Sequence, residues 1–161
     1  MTVVSNTSPI INLAFVGLLD LLPQLYGEIT IPQPVWDEIV VHGRGQAGAA
    51  ELQQAAWVRV SKANNRELMH ALRQELDAGE VDAIVLALES RAEILLIDER
   101  LGRETAQHLG LHPVGLIGVL VEAKSKLLIS AVKPHLDLLR SQAGFRIRES
   151  LYRRVLDFTN E

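Results

Sequence analysis

Strands alternating with helices along the chain predict an α/β domain, with a mainly parallel central sheet covered by helices on both faces. Three observations carry this expectation. Short β-prone runs recur at residues 2–5, 28–31, 57–61, 93–97 and 111–114. Segments with helical spacing separate them. The run Glu93-Ile-Leu-Leu-Ile97 is almost wholly apolar, as a parallel strand buried on both faces must be.

Residues 2–5 open as a short strand, and Ser8-Pro9 reads as an N-cap followed by proline at the first helical position. A helix or helix pair then runs to about Tyr26. Residues 28–31 form the second strand, stopped by Pro32 and Pro34. Beyond them Val35, Ile39 and Val40 give helical spacing through Val41, and Gly43, Gly45 and Gly48 end that helix. Residues 49–56 are helix-prone, 57–61 alternate like a strand, and 66–74 read as a polar helix. Asp77-Ala-Gly-Glu80 has capping-box form, and Val81, Ile84, Val85 and Leu88 then supply one apolar helical face. After the buried strand at 93–97, a helix from 100 to about 109 ends at Gly110. A short strand at 111–114 follows, then helices near 117–126, 132–141 and 150–158.

The chain has 161 residues, 48% hydrophobic and 22% charged, which is ample apolar surface for one core and too little charge for disorder. No repeat, low-complexity tract or Pro/Ser linker divides it, so a single domain over residues 1–161 is expected. It contains no cysteine, which excludes disulfides, thiolate metal sites and a cysteine nucleophile. Any metal must bind oxygen or imidazole. The first Lys or Arg is Arg44, so no secretory or transit signal is expected. No apolar stretch approaches the roughly 20 residues of a membrane span. A cytoplasmic protein is the expectation.

In open α/β sheets, ligands bind beyond the carboxyl ends of the strands. Asn6 follows the first strand, and Asp98-Glu99 follow the most buried one. Glu80 and Asp82 lie on the helix before that strand, and Glu38 lies on the helix after the second. At ~100° per residue, Glu80 flanks the core-facing stripe slightly more closely than Asp82 does. Carboxylates gathered at one sheet edge repel unless a cation neutralises them, which suits Mg²⁺ or Mn²⁺. Such an ion can activate water and orient a phosphodiester.

The segments Val3-Val-Ser-Asn-Thr-Ser-Pro-Ile-Ile11, Pro34-Val-Trp-Asp-Glu-Ile39, Leu76-Asp-Ala-Gly-Glu80 and Leu96-Ile-Asp-Glu-Arg100, with Arg103, occur in an order that resembles the PIN-domain family. More narrowly they resemble its VapC-like toxin branch, and the likeness extends to residues 115–124. The resemblance implies a three-layer α/β/α sandwich and a divalent-metal-dependent ribonuclease, with a small cognate antitoxin and a homodimer as partners. It carries the family's acidic site onto Glu38, onto Glu80 or Asp82, and onto Asp98, with Glu99 as an auxiliary. Asn6 departs from the pattern, which most often has aspartate there. An amide oxygen can still ligate a metal, but it brings no charge. The competing reading is therefore a catalytically weakened module that only binds RNA or protein.

Each candidate also has a plainer role. Glu80 completes a capping box with Asp77, and Asp98 suits an N-cap of the following helix. Glu38 suits a solvated helix face. Thr7 and Ser8 could touch a substrate phosphate, and Arg103 could reach a phosphate or pair with Asp98 or Glu99. Gly43-Arg-Gly-Gln-Ala-Gly48 matches the dinucleotide fingerprint, but it lacks a preceding strand and an acid at the end of the next one. The five histidines show no metal-ligand spacing. Net charge is −4, yet between residues 122 and 154 eight Lys and Arg face only Glu122, Asp137 and Glu149. That basic run reads as a solvated face, an RNA track or a partner surface.

Overall fold

A computed structural model describes residues 1–161. Its sheet has five strands, β1 (Val3–Ser5), β2 (Ile29–Pro32), β3 (Val58–Ser61), β4 (Ile94–Leu96) and β5 (Pro113–Val114). All are parallel, in the order β3-β2-β1-β4-β5. The chain builds outward from β1 to β3, then crosses back to set β4 on the free side of β1. Strand order therefore reverses between β1 and β4, and such a switch point opens a crevice at the strands' carboxyl ends. The register Val3↔Ile94, Val4↔Leu95, Ser5↔Leu96 aligns these two strands. The Asn6 N–H then donates to the Leu96 carbonyl at 2.9 Å.

Helices α1 (Thr7–Phe15), α2 (Leu21–Tyr26) and α3 (Gln33–Trp36) precede a π-helical turn, Asp37–Val41. Then follow α4 (Ala49–Gln54), α5 (Arg66–Leu72), α6 (Ala78–Glu89), α7 (Arg100–His108), α8 (Leu116–Ser125), α9 (Lys133–Gln142) and α10 (Glu149–Phe158). Successive strand side chains point to opposite faces. Val3, Ile29, Ile31 and Leu96 accordingly pack with Ile10 and Leu13 of α1, Val119 of α8 and Leu136 of α9. Val4, Leu95 and Ile97 pack with Val81, Ile84 and Val85 of α6 and Ala106 of α7. The two cores on either face make the three-layer α/β/α sandwich. No helix is long and apolar enough to cross a membrane.

Four local expectations are corrected. Asn6, not Ser8, occupies the N-cap of the first helix, which begins at Thr7. The helix expected through Val41 changes after Trp36 into a π turn, closed by the His42 N–H on the Asp37 carbonyl at 2.8 Å. The capping box at α6 is half made: Asp77 Oδ1 accepts the Glu80 N–H at 2.9 Å, while the Glu80 carboxyl turns into the protein. The single apolar face expected on α6 is instead burial from Gly79 to Ala87, because α5 and α7 flank the helix. The glycine-rich segment 43–48 joins the π turn to α4, where the Gly48 N–H donates to Glu51 Oε2 at 2.8 Å.

Candidate active site

The end of β1 delivers Asn6, Thr7 and Ser8 to the crevice in three successive directions. Asn6 is buried, and its Oδ1 faces Gly79 of α6 rather than capping its own helix. Thr7 Oγ1 donates to Glu38 Oε2 at 2.8 Å, and Ser8 Oγ donates to Asp98 Oδ2 at 3.3 Å. One turn of α1 thus ties together acids that lie far apart in the chain.

Glu38 projects from the π turn at the exposed rim. Such turns are rare and occur frequently at functional sites. Gly79 shows where the acids meet: a Cβ there would lie 3.4 Å from Asn6 Oδ1, 3.5 Å from Glu38 Oε2 and 3.6 Å from Asp77 Oδ1. Asn6, Glu38 and Asp77, with Thr7, Ser8 and Glu99, line a cavity of about 230 Å³. Asp77 is the member that sequence reasoning missed. Its cap role was visible, but its place opposite Asn6 and Glu38 depends on β1 and the π turn arriving at the same helix end.

Glu80 is 7% exposed. Its Oε2 has no hydrogen-bond partner and lies where a Cβ on Gly102 of α7 would come within 2.6 Å. Burial, the Asp77 carboxyl against it and the charge of Glu99 push Glu80 up to about 7. Asp82 leaves the helix toward α5. It lies 3.6 Å from Arg73 and lines a separate cavity with Lys62 and Arg66. Of the two candidates for the third acid, Glu80 therefore lies on the side of Asp77, and Asp82 lies apart. Burial raises Asp82, against the attraction of Arg73.

Asp98 does not cap the helix that follows it. Its Oδ1 accepts the Leu116 N–H at 2.7 Å, at the start of α8. Burial raises its carboxyl, while that N–H, the Ser8 hydroxyl and the nearby Arg103 charge oppose the rise. Arg103 donates to the Ile97 carbonyl at 3.3 Å. Gly115 makes room for both side chains, since a Cβ there would lie 2.5 Å from Arg103 Nη1 and 3.0 Å from Asp98 Oδ1. Glu99 is exposed and borders both the small cavity and a larger cleft beside Asp98. Glu38 and Asp98 therefore open onto adjoining cavities that share Ser8, Asn12 and Glu99.

No three His, Asp or Glu side chains converge tightly enough to ligate one ion as they stand. The set around Gly79 has an amide in place of a third carboxylate. Its donors nevertheless suit a hard divalent cation by type, being all oxygen, two of them from acids. Glu80, whose carboxyl lies against that of Asp77, adds a buried, unpartnered oxygen on the Gly102 side of the same helix end. Such a group calls for a bound cation, a proton or water.

A family model described as a PIN domain matches residues 2–161. No curated protein matches the chain. The parallel sheet and the acids around its switch point agree with a match over nearly the full length, and the chain belongs to the PIN-domain family, a nuclease-type fold.

Proposed function

We propose that the protein is a divalent-metal-dependent endoribonuclease of the VapC-like toxin branch, acting as a homodimer and restrained by a small antitoxin protein. The observation that carries the reading is the meeting of Asn6, Glu38 and Asp77 oxygens over Gly79, next to Asp98 at the switch point. Asn6, Glu38 and Asp77 would hold Mg²⁺ or Mn²⁺, with Asp98 in the adjoining cleft and Glu80 and Glu99 as further acids of the site. A bound ion supplies a nucleophilic water at neutral pH and positive charge for the leaving oxygen. The chain's own part is positioning. Thr7 fixes Glu38, while Ser8 and the Leu116 N–H fix Asp98. Arg103, beside Asp98, offers a cation to a phosphate oxygen.

The test incubates the pure protein with RNA in Mn²⁺ or in EDTA, beside an Asp98→Asn control. The reading expects cleavage in Mn²⁺ alone and its loss in the control. Cleavage that persists in EDTA or in Asp98→Asn would refute it. A second reading, a weakened module that only binds, is favoured by the uncharged Asn6. It expects no wild-type cleavage and a large gain in Asn6→Asp.

A further inference from the structure

The basic run near the C-terminus is mostly neutralised from within. Lys124 pairs with Glu161, Lys126 with Glu122, Lys133 with Asp137, and both Arg140 and Arg153 with Glu149. Arg146, Arg148 and Arg154 have no carboxylate within ion-pair distance. Arg146 and Arg148 sit together in the connection between α9 and α10. That connection forms the far wall of the cleft that starts at Asp98 and Glu99. The cleft measures about 960 Å³, and Arg103 lines it together with the acids and Phe145. Pockets for drug-sized ligands span roughly 300–1,000 Å³.

Phe145 is held at this wall by two local devices. Gly144 adopts φ +69, a turn that L residues resist, and the Phe145 N–H returns to the Leu139 carbonyl at 3.1 Å. Half-buried against the core, Phe145 lines both the cleft and a second hollow. That hollow, about 460 Å³, also holds Arg140, Arg146 and Arg148. An aromatic face flanked by uncompensated guanidinium groups is the combination that binds unpaired nucleic acid: bases stack on the ring, and cations follow the backbone.

We infer that the cleft beside Asp98 is a subsite for an unpaired ribonucleotide adjoining the scissile phosphate, with its base on Phe145, its phosphate on Arg146, and the strand leaving toward Arg148. The inference rests on the ribonuclease reading for its substrate and makes that substrate single-stranded. A duplex cannot offer a free base face to Phe145.

The experiment measures fluorescence anisotropy of a short unstructured oligoribonucleotide, and of a duplex with the same sequence, bound to the full chain in EDTA over a salt series. Phe145→Leu is expected to weaken single-strand binding about tenfold, and Phe145→Trp to preserve it. Arg146→Gln is expected to flatten the slope of log K against log salt by about 0.7, and Arg146→Lys to keep it. Arg153→Gln, whose side chain already pairs with Glu149, is expected to leave the slope unchanged. Arg146 is exposed, so its variants read out the site even if Phe145→Leu loosens the fold. Wild-type binding by both Phe145→Leu and Arg146→Gln, or equal affinity for duplex, would overturn the subsite and leave the cleft to a protein partner. Because EDTA prevents metal-dependent cleavage, the two readings can fail separately. Absent Mn²⁺-dependent cleavage with Phe145-dependent binding sinks the nuclease reading alone, and the reverse pattern sinks the subsite alone.

Discussion

Asn6 brings an oxygen without a charge to the space over Gly79, and Asp77 faces it from the start of α6 with a carboxylate. The charge that the end of β1 lacks is thus present in the same space, supplied by another element. The oxygen that caps α6 is the one turned to Asn6 and Glu38, so cap and site must be separated experimentally. Asparagine caps helices about as well as aspartate. Asp77→Asn is therefore expected to keep the melting temperature while lowering Mn²⁺ affinity at least about tenfold, since losing even an outer partner of a ligand typically costs that much. Asn6→Asp in that background should restore affinity in calorimetric titration. Unchanged Mn²⁺ binding by Asp77→Asn would remove Asp77 from the site.

The π turn is the element whose geometry decides where Glu38 stands, and Gly43 guards it. A Cβ at Gly43 would lie 2.5 Å from the Ile39 carbonyl oxygen and 2.9 Å from that of Glu38. Both are backbone atoms, so neither can swing aside as a side-chain tip does. Gly43→Ala should cost ~1–3 kcal/mol in urea unfolding and reduce cleavage as Glu38 is displaced. Unaltered stability would show that the turn tolerates a methyl group. The strands and most helices were legible because apolar runs and helical spacing are local properties bounded by glycine and proline. The π turn has no such local signature. Ser8-Pro9 suggested a cap, but the bond from the Asn6 N–H to Leu96, a partner distant in sequence, ends β1 so that the helix starts at Thr7. Asp82 stayed a candidate beside Glu80 because helical spacing sets Glu80 only slightly closer to the apolar stripe. Arg73, just past α5, attracts Asp82, and Gly102 on α7 leaves room for Glu80 on another side. In the same way, only tertiary pairing separates the free arginines of the basic run from the neutralised ones.

Across the molecule, those free arginines are presented by α10 and by the connection that joins it to α9, and Glu161 fastens this unit to the rest of the fold. Its carboxylate accepts the N–H groups of Val132, at 2.9 and 3.0 Å, and of Lys133, at 2.8 Å. It also pairs with Lys124 of α8 at 2.9 Å, and Lys124 in turn donates to the Thr159 carbonyl. Burial alone would raise this carboxyl; the two N–H donors, the Lys124 ammonium and the Thr159 hydroxyl hold it down at about 2, against an ordinary 4.5. Between those values the unfolded chain binds the proton and the folded one does not, so stability rises with pH there. The clamp's contribution is complete above 4.5 and fades as the pH falls toward 2. Glu161→Gln leaves one oxygen to accept and removes the charge. Its melting temperature should lie below that of the wild type at neutral pH and converge on it through the acid range. Thermal unfolding followed by circular dichroism across that range checks this. A gap that stays constant down to the lowest pH would mean that the charge of Glu161 does not fasten α9 and α10, and that the wall carrying Phe145 and Arg146 is held by packing alone.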